Sequence, residues 1–277
     1  MRGVLALARP LNCVMSAVGV SIAAVATAGI DGLGTQALPI GLAALAAGLF
    51  TAAGNALNDY FDRETDRVNH PARPIPSGET SPSQARAFSA VFFVLSLAAS
   101  VWVNVLAVAL VAANLLVIVS YERIFKARGA SGNALIAYLV ASLFVFGGVA
   151  AYGGDLQALS RAVILGLLAG LATIGREIAK DIEDVTGDVD RRTLPRRLGI
   201  RPAAAIAAVA FAAGVVLSVL PYSFAGFGLL YLAIVAVADI MFIYSAAYCA
   251  RNPARAQRVA KYGMVVALVA FLAGGLV

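Results

Sequence analysis

Charge is scarce in this chain: charged side chains make up 13% of its 277 residues, about half of the roughly 25% found in an ordinary soluble domain. Hydrophobic residues reach 61%, against roughly 45–50% in such a domain. A soluble globular chain is excluded by the first figure, and intrinsic disorder, which needs low hydrophobicity, by the second. Cysteine is nearly absent. Cys13 and Cys249 lie far apart in apolar stretches, which argues against a disulfide framework and leaves two small membrane-buried thiols, neither of them a candidate nucleophile. The single histidine, His70, precedes a proline in a loop; without a second His or Cys partner it reads as structural and not as a metal ligand. Only six residues, Gly3–Ala8, form the apolar run before Arg9-Pro10, too few for the h-region of a signal peptide. The first span is therefore expected to stay in the mature protein.

What is abundant is long apolar sequence. A membrane helix takes about 20 predominantly apolar residues, and runs of that kind fall near 11–29, 37–57, 86–103, 104–121, 133–152, 161–180, 202–220, 224–249 and 259–277. Nine such spans use about 180 residues and leave about 97 for loops and tails, so a single membrane-embedded domain over 1–277 is expected. Twenty-six glycines and ten prolines agree with this, both being more frequent in membrane helices than in soluble ones. The run 86–121 must be split, and Trp102-Val103-Asn104 is the expected reversal because Trp favours the membrane interface. A second tight turn is expected at Pro221-Tyr222-Ser223. The fold class is thus all-α, a polytopic membrane protein of about nine transmembrane helices.

A formal charge of +6 would suggest nucleic acid as a partner of a soluble chain, but a membrane protein has another use for its cations. With the N-terminus cytoplasmic, twenty of the twenty-one basic residues fall at the inner face and only Arg161 falls outside. That is the asymmetry of the positive-inside rule. It places the C-terminus outside and gives a cell-membrane location, with no nucleic-acid partner. The Arg191-Arg192 and Arg196-Arg197 pairs then read as inside-loop charge and contacts to anionic lipid. They become acceptor-phosphate ligands only if the acceptor carries a phosphate.

Acidic residues should avoid the membrane or spread around it, yet twelve of the fifteen lie at the same inner face, most of them in two segments. The first runs from Asn55 through Asn58, Asp59 and Asp62 to Asp66, at the inner end of span 2. Asn58, Asp62 and Asp66 recur every four residues with Asn55 and Asp59 beside them, so in a helix their oxygens line one face. The second runs from Arg176 through Asp181 and Asp184 to Asp188, at the inner end of span 6, and its aspartates share a face at i, i+3 and i+7.

Carboxylates stacked in this way repel by a few tenths of a kcal/mol per pair, so a cation should compensate them. Hard oxygen donors without clustered His or Cys select Mg²⁺ or a similar ion, which typically takes one or two carboxylates and leaves other positions to substrate phosphates and waters. Two Asp-rich helices therefore read as a grip on a diphosphate through bridging Mg²⁺. A solvated acidic face paired with Arg63, Arg67 and Lys180 is the alternative reading of either cluster alone. Two matched clusters at one membrane face favour the metal.

The patterns Asn58-Asp59…Asp62…Asp66 and Asp181…Asp184…Asp188, about 120 residues apart in a nine-span chain, resemble the UbiA superfamily of intramembrane prenyltransferases. The resemblance extends to the Asn69–Gly78 run, to Tyr121…Lys126…Gly132-Asn133, and to Thr193-Leu-Pro195…Gly199. It implies helices around a central apolar cavity open to lipid, and transfer of an isoprenyl group from an allylic diphosphate to an acceptor. By that resemblance Asn58, Asp59, Asp62, Asp66, Asp181, Asp184 and Asp188 hold Mg²⁺, and Lys126 and Arg73 contact the diphosphate. Arg73 is otherwise a loop anchor, and Tyr121 either shields the allylic cation or anchors the interface. Asn55 joins Asn58 among the substrate-binding residues. Asp239, mid-span, is either a functional intramembrane acid or a hydrogen-bond partner of a neighbouring helix.

Arg-Pro-Leu-Asn12 and the run from Gly175 to Asp184 are most similar to the archaeal ether-lipid members of the superfamily. Those attach a second geranylgeranyl chain to the free hydroxyl of geranylgeranylglyceryl phosphate. Such an acceptor brings about two more negative charges to a face already crowded with carboxylates, and Arg123, Arg128, Arg192, Arg196 and Arg197 are available to receive them. A quinone-pathway aromatic acceptor (a hydroxybenzoate, naphthoate or homogentisate) is the runner-up. A divalent-cation transporter fits poorly, because the aspartates sit at one face and transporter sites lie near the midplane. The charge count makes one direct prediction. In a variant lacking Cys13 and Cys249, single cysteines in the loops 58–85 and 181–200 are protected from an impermeant thiol reagent added to intact cells, and labelling of either loop from outside reverses the topology.

Overall fold

The computed structural model describes residues 2–126, 129–185 and 192–276. Asp188, Arg128 and Arg191, all singled out above, lie outside these. Among the described residues there are helices and no strands, and nine segments are long and apolar enough to cross a membrane: Leu5–Gly29, Gly32–Val68, Pro82–Val101, Val105–Phe125, Ala130–Ala150, Leu159–Glu183, Ile200–Phe224, Leu229–Tyr248 and Pro253–Gly275. Every expected span is present. Because consecutive spans alternate in direction, the two acidic motifs, at the ends of the second and sixth, meet at one face.

A short helix α1 (Arg2–Ala8) leads into α2 (Pro10–Asn69), a helix of 60 residues with its direction broken at Gly29. Gly29 has φ 65° and ψ −179°, a region open essentially to glycine alone. A Cβ there would meet nothing within 4 Å, so the backbone conformation and not crowding demands the glycine. The kink separates the first two spans, and the second arm continues as helix past its apolar stretch to Asn69. That continuation keeps Asn55, Asn58, Asp59, Asp62 and Asp66 in one helical register.

Local chemistry fixes the next elements. Three prolines, Pro71, Pro74 and Pro76, keep the segment after His70 from continuing the helix. Ser81 then caps α3 (Pro82–Val101) with a reciprocal capping box to Gln84. The reversal expected at Trp102 is present: Asn104 caps α4 (Val105–Ser120) by accepting from the Ala107 N–H at 2.9 Å, and its amide donates to the Val149 carbonyl at 2.9 Å. α4 passes into a π-helical turn, Tyr121–Phe125, in which the Lys126 N–H donates to the Tyr121 carbonyl at 2.9 Å. Then come α5 (Ala130–Ala150), α6 (Leu156–Glu183), the short α7 (Leu194–Leu198) and α8 (Ile200–Leu217). The tight turn expected at Pro221 is instead a further short helix, α9 (Leu220–Phe224). Proline is well tolerated in a helix's first turn, and the chain reverses only at Ala225–Gly228, where Gly226 has φ 76°. α10 (Leu229–Tyr248) and α11 (Pro253–Gly275) complete the bundle.

In lipid the helices cannot be driven together by hydrophobicity, so close packing of small residues and interhelical hydrogen bonds must hold them. Ser89 and Ser96 of α3 donate to the Ala53 and Ala46 carbonyls of α2 at 2.9 and 2.8 Å. Asp239 of α10 accepts from Ser218 Oγ at 2.8 Å, just beyond α8, a hydrogen bond that ties this intramembrane acid to the neighbouring helix. One close backbone approach is at Gly147 of α5, where a Cβ would stand 2.3 Å from the Val20 carbonyl and 2.8 Å from the Ala23 Cβ. Gly147→Val should therefore force α5 away from the first arm of α2 and cost about 1–3 kcal/mol. The check is unfolding in detergent beside Gly41→Ala, whose Cβ meets nothing within 4 Å and which should leave stability unchanged or raised.

Candidate active site

The first acidic motif is held by cations from three different parts of the chain. Asp59, only 2% exposed, is bonded by the Arg9 guanidinium, with Arg73 Nη1 at 3.7 Å. Asp66, also buried, accepts from Arg73 Nη1 at 2.5 Å. Asp62 accepts from Lys126 Nζ at 2.8 Å. Lys126 also donates at 2.8 Å to Glu122, whose other oxygen accepts from Asn58 Nδ2 at 3.0 Å. Four carboxylates are thus matched by three cations. Arg63 and Arg67, the expected helical partners of the acidic face, pair with the exposed Glu64 instead.

Arg9 sits where the chain turns from α1 into α2. It has a left-handed backbone, φ 50° and ψ 72°, a conformation that costs a non-glycine residue on the order of 1–2 kcal/mol. Asn55 stabilises that elbow by donating to the Ala8 carbonyl at 2.9 Å. A strained residue held by its surroundings and aimed at a buried aspartate is a mark of a functional position.

The second motif is reached through α5. Asn133, in the first turn of that helix, donates to Asp181 at 2.8 Å, and Arg176 pairs with Glu177 at 2.7 Å. Asp184 lies just past the end of α6, exposed, with its N–H on the Lys180 carbonyl. The segment 121–133 therefore touches both acidic motifs, Asp62 through Lys126 and Asp181 through Asn133. Among the described residues no three carboxylates converge on one point, and those of the first motif are paired with cations.

Inward from this network lies a cavity of about 510 Å³. Its mouth carries Arg9, Asn55, Asn58, Tyr121 and Glu122, and its deeper wall includes Ala46, Phe50, Val111, Leu143 and Phe146. From Asn58 to Ala46 along α2 is about 18 Å at the helical rise of about 1.5 Å per residue. The arrangement joins a polar, charge-bearing opening to an apolar interior within the membrane. A second, almost wholly apolar cavity of about 230 Å³ shares Ser16, Val140 and Leu143 with the first and reaches Asp239 and Phe271.

Of the residues singled out from sequence, Asn58, Asp59, Asp62, Asp66, Arg73 and Lys126 are brought into one network, and Tyr121 lines the cavity with its ring 5.9 Å from Lys126 Nζ. Asn55 lines the cavity while also bracing the α1–α2 elbow. Arg123 and Arg192 are exposed and outside the cavity lining. Sequence reasoning missed three contributors. Arg9 was visible as an Arg-Pro pair at a helix start and Glu122 as an acid ending an apolar span, but only their contacts distinguish them from interface charges. Asn133 stood in a quoted motif without a role.

These features have counterparts among known proteins. The model of the UbiA prenyltransferase family matches residues 14–273. The digeranylgeranylglyceryl phosphate synthase of Halobacterium salinarum is 41% identical over 278 residues, covering 100% of this chain and 98% of that protein. The enzyme of the same name from Methanopyrus kandleri is 42% identical over 279 residues, with 99% of each covered. A solved structure of a digeranylgeranylglyceryl phosphate synthase superposes with a TM-score of 0.85 at 34% identity, covering 99% of this chain and 98% of that one. A UbiA homologue from Archaeoglobus fulgidus bound to DMAPP and Mg²⁺ shares the fold with a TM-score of 0.59 at 15% identity, covering 96% of this chain and 99% of that one.

The pairing geometry predicts which cation matters most for stability. Arg9→Ala leaves the carboxylate of Asp59 with only the longer Arg73 contact, and should lower stability by about 1–3 kcal/mol. Arg67→Ala, which breaks an exposed pair with Glu64, should have little effect. Denaturant unfolding of both variants in one detergent compares them directly.

Proposed function

This chain belongs to the UbiA prenyltransferase family, and we propose that it transfers a geranylgeranyl group from its diphosphate to the free hydroxyl of geranylgeranylglyceryl phosphate in ether-lipid synthesis. The observation that carries this reading is the union, in one cavity, of a cation- and amide-lined mouth beside the paired aspartates with a mostly apolar interior, the lining running about 18 Å along α2 from Asn58 to Ala46. Full-length similarity to synthases of that name supports the acceptor. We read residues 1–277 as one membrane domain, with the aspartate face in the cytoplasm. Its support is the distribution of basic residues, twenty of twenty-one at that face.

The donor set fits a hard divalent cation: it consists of carboxylate and amide oxygens, while the only histidine, His70, is exposed in a loop. Asp59, Asp62 and Asp66 with Asn58, and Asp181, Asp184 and Asp188, would hold Mg²⁺. Bound there, the ion supplies Lewis-acid stabilisation of the charge that develops on the leaving diphosphate. A UbiA homologue solved with DMAPP and Mg²⁺ supports a divalent metal.

The chain's own residues do the rest. Lys126 and Arg73, bonded to Asp62 and Asp66 in this structure, would contact the diphosphate and place positive charge where negative charge develops. Asn55 and Asn58 orient the head group at the mouth. The apolar wall would keep water from the allylic cation, and Tyr121, which lines the cavity, would shield it with its ring. Arg123, Arg128 and Arg192, with Arg196 and Arg197, receive the acceptor's phosphate at the same face.

Purified protein in detergent with radiolabelled geranylgeranyl diphosphate should alkylate geranylgeranylglyceryl phosphate, its unphosphorylated analogue much more poorly, and hydroxybenzoate or naphthoate not at all. Turnover should vanish with chelator and return with Mg²⁺. Asp62→Asn or Asp184→Asn should remove most of the rate without unfolding the protein, and neutralising at least one of the five arginines should raise the acceptor's KM. Efficient prenylation of an aromatic acceptor alone overturns the lipid assignment, and full activity in chelator overturns the metal.

A further inference from the structure

Forming an ether from an alcohol releases a proton, and we propose that Glu122 is the base that receives it. The proposal rests on the reading of this chain as an enzyme that alkylates a hydroxyl. The bond between C1 of the allylic group and the diphosphate oxygen breaks, and its electron pair leaves on the diphosphate. A lone pair of the acceptor's hydroxyl oxygen forms the new C1–O bond, and the hydroxyl proton passes to a carboxylate oxygen of Glu122. It then leaves to water at the cavity mouth. One C–O bond is broken and one made, and nothing is oxidised or reduced.

Position selects this residue. Glu122 is the only acidic side chain lining the 510 Å³ cavity among the described residues. The only other charged lining residue is Arg9, a guanidinium that cannot accept a proton. Asp59, Asp62 and Asp66 do not line the cavity and are bonded to Arg9, Lys126 and Arg73 respectively. Glu122 is 7% exposed, so its carboxylate is held at the mouth and not loose in solvent.

Its bonding leaves room for the task. Oε1 accepts one hydrogen bond from Asn58 and Oε2 one from Lys126, whereas a carboxylate offers about four acceptor sites. Each oxygen thus keeps a free lone pair. A weak base suffices for the step: an alcohol oxygen bonding to an allylic cation becomes an oxonium, far more acidic than the alcohol. Glu122 also stands in the π-helical turn Tyr121–Phe125, a geometry frequent at functional sites. Its bond to Lys126 would alternatively make it a residue that only positions the lysine, and the two roles separate kinetically.

The test uses the full-length protein with Mg²⁺, geranylgeranyl diphosphate and geranylgeranylglyceryl phosphate, and follows diphosphate release and ether formation together. In Glu122→Gln, ether formation should fall by about 100-fold or more, diphosphate release should fall less, and the excess should appear as the prenyl alcohol. The KM for the prenyl diphosphate should stay within about threefold of the parent, and Glu122→Asp should recover part of the coupling. Unchanged ether yield per diphosphate with a raised KM for the prenyl diphosphate overturns the base and leaves Glu122 as a support for Lys126. If Glu122→Gln does not fold, Glu122→Asp decides: the shorter carboxylate should lower the ether yield per diphosphate below the parent's, and an unchanged yield overturns the proposal. A parent protein that makes no ether overturns the acceptor reading itself, and the proposal with it.

Discussion

A carboxylate buried at the edge of a membrane keeps its charge only if a cation or hydrogen bonds replace its water, because burial disfavours the ionised form. The whole inner face of this protein is organised around that constraint. Asp59 and Asp66 are buried, and each is matched to a guanidinium delivered from a distant part of the chain: Arg9 from the elbow before α2 and Arg73 from the loop after it. Lys126 arrives from the far end of α4 to join Asp62 and Glu122. Breaking such a pair on one side is costly, so the pairs fix the relative positions of four elements at once.

The same pairs keep three cations at the cavity mouth, where the function proposed above would need positive charge for a leaving diphosphate. The strained backbone of Arg9 and the π-helical turn beneath Lys126 lie on the two sides of the cavity mouth, where regular geometry would not serve both packing and chemistry.

Deeper in the membrane the demands are reversed. Helices must approach closely without a hydrophobic drive, and alanine, serine and glycine at the contacts allow it. Gly147 against the first arm of α2 and the Ser89 and Ser96 bonds to α2 are examples. Around the cavity larger side chains such as Phe50, Leu143 and Phe146 stand beside Ala46 and Ala47 in the lining.

The sequence by itself determined the architecture and the acidic motifs, because both are local. Span length against bilayer thickness, charge asymmetry between alternate loops, and aspartates at helical spacing are all readable along one dimension. Trp102–Asn104 as a reversal was legible for that reason, whereas Pro221 misled, since proline is equally at home in a turn and in the first turn of a helix. Only the tertiary structure decided which cation meets which carboxylate. Arg63 and Arg67 are near the aspartates in sequence but point to Glu64, while Arg9 lies 50 positions from Asp59 and binds it. It also decided that Glu122 faces the cavity and that Asp239 bridges to Ser218. Ion pairs and cavities depend on which helix faces pack together, and that is set by side-chain fit between segments far apart in the chain, which no local periodicity encodes.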